Sequence, residues 1–204
     1  NVNEKTSDWN ESGKTALMIA AENGHYACVE TLMQHPHIDI NAITSHRISY
    51  HNSTALLYAV QANPLRCVEV LLKNPLINVN LCFKSLYQQT YTSGLIVAAH
   101  YGYNSILELL SSHPNIDLDC YDNNKFTALT YTRLANNVEG YNILINRGAL
   151  DKIIDNFEAF NFIINCHPTT SHLYIDYLKE LLNLSYNNIH FNANNSNQFL
   201  GKLP

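Results

Sequence analysis

Apolar positions along the first 150 residues fall into short runs of helical spacing, and the runs come in pairs. In the run opening at Thr15, Leu17, Ala20 and Ala21 share one helical face. Cys28, Val29, Leu32 and Met33 make a second run, with Gly24 between the two as expected of a tight helix–helix turn. Pro36 ends the second run, because proline cannot continue the hydrogen-bond ladder of a helix. The next stretch, IDIN at 38–41, alternates apolar and polar residues and reads as an extended connector.

The chain then restates this pattern. HPHIDIN at 35–41, NPLINVN at 74–80 and HPNIDLD at 113–119 are one phrase repeated at intervals of 39 residues. Counting back 26 residues from Asn41, Asn80 and Asp119 reaches Thr15, Thr54 and Ser93, which open TALMIAAENGH, TALLYAVQANP and SGLIVAAHYGY. A fourth copy, TALTYTRLANN, opens at Thr127 and reaches Gly148 where the others have Pro36, Pro75 and Pro114. Each opening hydroxyl is placed to cap the first free N–H groups of a helix. One helix pair cannot bury its apolar face alone, whereas stacked copies bury each other. Leu17, Leu56, Leu95 and Leu129 are equivalent in this frame and are expected to be buried between helices of adjacent copies.

The frame resembles the ankyrin repeat, whose signature is T-P-L-H-x-A at a period near 33. Thr15-Ala16-Leu17-Met18-Ile19-Ala20 and Thr54-Ala55-Leu56-Leu57-Tyr58-Ala59 match it at Thr, Leu and Ala. Gly24-His25 fits the family's Gly-His turn, and Asp39-Ile40-Asn41 fits its Asp-Val-Asn ending. The departures are Ala or Gly in place of Pro, Met18, Leu57, Ile96 or Thr130 in place of His, and a fourth copy whose small-residue pair becomes Thr132 and Arg133. The resemblance implies an all-α solenoid of helix-turn-helix units with extended hairpin finger loops and a C-terminal helical cap. Its boundaries are expected to be four repeats over 1–150, a divergent capping helix pair over 151–183, and an Asn-rich tail or linker over 184–204. Val2-Asn3 reads as the end of a preceding repeat, and so implies a piece of a longer protein.

Bulk properties narrow the function classes. A formal charge of −5 argues against a general nucleic-acid or membrane-surface binder. No stretch approaches the roughly 18 consecutive apolar residues of a membrane span. The five cysteines are odd in number and lack a C-x-x-C pair. Cys28 and Cys67 share a repeat position, which suits a small buried hydrophobe in a reducing cytosol. The asparagine-rich composition resembles that of ankyrin proteins from intracellular bacteria or protists.

Repeats differ where function can sit. The connectors 42–53 and 81–92 have twelve residues each, whereas 120–126 has the seven usual in ankyrin repeats. The long connectors, with that after Asn3, carry Trp9, Arg47, Tyr50, His51, Lys84, Tyr87 and Tyr91, residue types enriched at interface hot spots. Transferring the family's groove positions gives Glu22 and Asn23, Gln61 and Ala62, and His100 and Tyr101. The position before each opening hydroxyl gives Lys14, Ser53, Thr92 and Phe126, and the aligned Tyr58 and Tyr131 are also placed to reach the groove.

Catalytic chemistry finds little support. His35 and His113 share a position that is Asn74 in the second copy, which fits a helix-end residue and not a metal site. Cys166 and His167 are adjacent in sequence, a poor geometry for a nucleophile and its base. No Gly-rich phosphate loop, G-x-S-x-G or zinc spacing is present. The expectation is a non-enzymatic intracellular module without cofactor or metal, binding another protein or peptide through its groove and long fingers. The alternative is a substrate-recruiting segment of a larger secreted effector enzyme.

Overall fold

The computed structural model describes residues 1–7, 13–44, 53–84, 91–123 and 125–150, with only the backbone of Phe83, Lys84 and Tyr91. The chain divides into two compact bodies, Asn1–Ala159 and Phe160–Pro204, and every described residue belongs to the first. The capping pair expected over 151–183 and the tail over 184–204 lie outside the described residues, as does Cys166.

Eight helices are present among the described residues: α1 (Ala16–Glu22), α2 (Tyr26–Met33), α3 (Ala55–Ala62), α4 (Leu65–Leu72), α5 (Gly94–Tyr101), α6 (Asn104–Ser111), α7 (Ala128–Leu134) and α8 (Val138–Asn146). They form four hairpin pairs, each one repeat. Equivalent helices pack in two rows, α1 on α3 on α5 on α7 and α2 on α4 on α6 on α8. This is the all-α repeat stack that the periodicity predicts.

The local causes recur in each repeat. Thr15, Thr54, Ser93 and Thr127 are the N-caps, and each side-chain oxygen accepts the N–H three residues on, at 3.2–3.4 Å. The turn between paired helices needs one left-handed residue. Gly24, Asn63, Gly102 and Asn136 occupy that position with φ of 74°, 64°, 71° and 50°. Asparagine stands in for glycine because its short polar side chain tolerates this region better than other L-residues do. The following N–H closes the turn onto the helix: His25 donates to Ala20, Tyr103 to Ala98 and Asn137 to Thr132, at 2.8–2.9 Å. Pro64, at the same position in the second repeat, has no N–H to give.

The core is built from equivalent positions. Leu17, Leu56, Leu95 and Leu129 are 1%, 5%, 0% and 3% exposed, as expected. Leu71, Leu110 and Leu144 fill the outer row. Cys67 is fully buried among them, but Cys28 is exposed, which corrects the expectation that both are buried. The physical reason is position: α2 is the first outer helix and has no earlier outer helix beside it among the described residues.

The repeated phrase does more than end a helix. Asn41 Nδ2 donates to the Leu76 carbonyl (2.7 Å) and its Oδ1 accepts the Asn78 N–H (2.8 Å). Asn3 does the same to His37 and Asp39, and Asn80 to Asn115 and Asp117. At the fourth step, Asp119 Oδ1 accepts the Leu150 N–H at 2.9 Å. A side-chain ladder therefore stitches each connector to the next. Within each phrase, His35 Nδ1, Asn74 Oδ1 and His113 Nδ1 accept the N–H two residues on, at 2.9–3.3 Å. That shared acceptor role explains why His and Asn interchange at this position.

Candidate functional site

The connectors leave the stack between paired backbone ends. Thr6 N–H donates to the Lys14 carbonyl (2.9 Å), Thr44 N–H to Ser53 (3.0 Å) and Asp122 N–H to Phe126 (3.0 Å). At the equivalent place in the third connector, strand β1 (Phe83–Lys84) pairs antiparallel with β2 (Tyr91–Thr92), Lys84 opposite Tyr91. Trp9, Arg47, Tyr50, His51 and Tyr87 lie outside the described residues, and Lys84 is described by its backbone alone.

The residue that closes each connector is positioned differently from the expectation. Phe126 is 1% exposed and meets the Tyr131 ring edge-on at 5.7 Å, so it is a core residue and not part of a binding surface. Ser53 and Thr92 are buried too. Pairing at the base of the connector turns this side chain into the stack. Lys14 alone in this set is partly open.

Two clusters emerge on the inner row. In the first, Lys14 Nζ meets Glu22 Oε2 at 2.6 Å and lies 4.6 Å from the Tyr58 ring centroid. The ammonium thus sits between a carboxylate and an aromatic face. The two side chains are 18% and 37% exposed, so the pair is still in contact with solvent, and such pairs contribute about 0–1 kcal/mol. Burial, then the Glu22 charge, pushes the Tyr58 hydroxyl above its ordinary pKa, against hydrogen bonds to Ser53 and Thr44. Tyr58 therefore stays a neutral phenol at physiological pH.

The second cluster is aromatic. Tyr101 stacks on Tyr103 with ring centroids 5.6 Å apart and planes 20° from parallel. His100 meets Tyr101 edge-on at 4.8 Å and Tyr131 edge-on at 5.0 Å. Tyr131 in turn contacts Phe126 and donates its hydroxyl to Asp122 Oδ2 at 2.7 Å. Five rings thus run from the surface into the core. Tyr131 is 9% exposed, so it supports this surface from beneath more than it lines it. Tyr101 is 54% exposed.

Gln61, on α3 between α1 and α5, is exposed at the position equivalent to Glu22 and His100. Asn23 is exposed, with its amide turned back to the Ile19 carbonyl at 2.9 Å. Glu22, Gln61 and His100 make one row across successive helices, and Asn23, Ala62 and Tyr101 a second. Sequence reasoning missed Tyr103. The signal was Tyr101-Gly102-Tyr103: a left-handed glycine between two tyrosines reverses the chain and lets the rings stack.

Nothing in this arrangement gathers a nucleophile with a base. Cys120 lies 3.2 Å from the Ser93 hydroxyl, but burial pushes its thiol up to about 11, so it is not a thiolate near neutral pH. No helix among the described residues is long and apolar enough to cross a membrane.

Residues 1–82 match the family model described as ankyrin repeats (three copies). No curated protein matches the chain. Ankyrin repeats are generally protein–protein interaction modules and typically non-catalytic. The matched span covers the first two helix pairs, so residues 1–82 are similar to ankyrin repeats, and α5 to α8 continue the same caps, turns and ladder through residue 150.

Proposed function

We propose that residues 1–150 bind a partner protein or peptide through the inner-helix surface, with the aromatic ledge of His100, Tyr101 and Tyr103 as its anchor. The observation that supports this most is the ring chain itself. Tyr101 is more than half exposed, yet its neighbours fix it through rings rooted in the core. A large side chain held in place before binding loses little rotamer freedom on contact, which favours it as a hot spot. Gln61, Asn23 and Glu22 supply hydrogen-bonding groups along the same rows, and Lys14 and Tyr58 border them. The long connectors extend the surface, with Trp9, Arg47, Tyr50, Lys84 and Tyr87 as their contacts.

This reading assigns no reaction and no cofactor to residues 1–150. It places the protein in a reducing compartment, which the four described free cysteines support. The test separates ledge from connectors. Tyr101→Ala and a chain with connectors 42–53 and 81–92 cut to seven residues are compared with the parent for partner affinity and thermal stability. Weakened binding in either variant at unchanged stability supports that part of the surface. Unchanged affinity in both refutes the reading.

A further inference from the structure

Tyrosine and a cation meet repeatedly on this stack. Lys14 Nζ lies 4.6 Å from the Tyr58 ring centroid, and Lys125 Nζ lies 4.1 Å from that of Tyr121. The guanidinium carbons of Arg66 and Arg133 lie 5.7 Å and 5.1 Å from the centroids of Tyr26 and Tyr141. The electron-rich face of a ring attracts a cation at such distances. Tyr101 and Tyr103 depart from the pattern. They stack on each other, and no lysine or arginine among the described residues lies over either ring. Yet Tyr101 is more than half exposed, so its ring is open to a cation from outside.

A second observation supplies the charge. Glu139 is exposed, and neither ion pair among the described residues includes it. Its Oε2 accepts from Asn104 Nδ2 at 2.7 Å, and Asn104 directly follows Tyr103. Asn137 and Asn104 exchange side-chain hydrogen bonds at 2.7 Å and 3.3 Å. A Cβ on Gly102, between the two tyrosines, would lie 3.8 Å from Asn137 Nδ2. The start of α8 is thus pinned against the Tyr101-Gly102-Tyr103 turn, and it holds a carboxylate with no cation of its own beside the ledge. The formal charge of −5 on the whole chain also favours the approach of a basic partner.

We propose that the Tyr101–Tyr103 ledge, with Glu139 beside it, is the subsite for an arginine side chain of the partner. This assignment rests on the reading that the ledge contacts a partner, and names the chemistry it takes. The two rings lie 20° from parallel, so a planar guanidinium extends the stack by one layer while its N–H edge turns to the carboxylate. A lysine ammonium is a point charge without a flat face, and fits the stack less well.

The test selects short random peptides from a phage library on the 204-residue chain. Each arginine in the selected peptides is then replaced by citrulline, which keeps the shape and loses the charge, or by lysine. The peptides are titrated by fluorescence anisotropy against the parent, Tyr101→Ala, Tyr101→Phe and Glu139→Gln, with melting temperatures as the control on folding. The expected result is one arginine whose change to citrulline weakens binding at least about tenfold on the parent and less than about twofold on Tyr101→Ala. Tyr101→Phe keeps the ring face and should keep the citrulline effect, whereas Glu139→Gln should reduce it. Binding that needs Tyr101 but is indifferent to citrulline, or is fully restored by lysine, overturns the arginine assignment and leaves the ledge as a contact. Failure to select any peptide, or peptides bound equally by parent and Tyr101→Ala, overturns the assignment together with the reading beneath it.

Discussion

The Asn80 side-chain amide donates to the carbonyl of Asn115, 2.6 Å away in the next repeat. Its oxygen accepts the Asp117 N–H from the same turn. One side chain therefore satisfies a donor and an acceptor of its neighbour, using the two ends of its amide. Asn80→Ala removes both bonds and is expected to cost about 1–3 kcal/mol. Asn80→Asp keeps the acceptor, loses the donor and falls between the two. By contrast, His35→Asn preserves the turn acceptor seen at Asn74 and should stay within about 0.5 kcal/mol of the parent. Urea midpoints of the three variants check the order.

Leu56 is 5% exposed between α1 and α5. Leu56→Ala leaves a cavity in a stack whose repeats depend on each other. A loss of about 2–5 kcal/mol is expected. A loss below about 0.5 kcal/mol would mean that the register of the four leucines is wrong.

The Asp122 carboxylate is 2% exposed and organises the short connector. It accepts from the Tyr131 hydroxyl at 2.7 Å and from the Phe126 N–H at 3.0 Å. Asp122→Ala strands both donors in the interior and should cost about 2–4 kcal/mol. It should also release the Tyr131 ring that supports His100. Near-ultraviolet circular dichroism of the aromatic bands measures that release, and unchanged bands would show that the ring chain does not depend on Asp122.

The described cysteines differ in access and acidity. Cys28 is exposed, Cys67 is buried with its thiol pushed up by burial, and Cys120 is pushed up to about 11. At pH 8 the Cys120 thiolate fraction is about one in a thousand. In the folded 204-residue chain, alkylation should mark Cys28 well before Cys67 and Cys120, and urea should abolish the difference. Equal rates in the folded chain would contradict the burial pattern.

Much of this fold was legible in the sequence because folding is repeated in it. The Thr and Ser caps, the four leucines and the Gly24 turn each recur at a fixed offset, so every copy tests the others. The Asn63 and Asn136 turns were harder to read, because asparagine takes the left-handed position without announcing it as glycine does. The ladder was hidden for another reason. The phrase displayed its Asn and Asp, but their bonds run to residues 34–37 positions away. Phe126 was misread because the backbone pairing at the base of each connector turns this position into the stack, as it does for Ser53 and Thr92, and that pairing is not displayed by the residues themselves. Cys28 was misread because equivalence in sequence is not equivalence in coverage at the first repeat of a stack.

Whether Tyr101 anchors a partner is decided by the binding constant of a Tyr101→Ala chain. A partner recovered with the parent chain is titrated by calorimetry against the parent, Tyr101→Ala and, as a control on the opposite row, Glu69→Ala. Tyr101→Ala is expected to lose at least about tenfold in affinity, or about 1.4 kcal/mol, with an unchanged melting temperature and no effect of Glu69→Ala. Parent-like affinity for Tyr101→Ala would contradict the anchoring role.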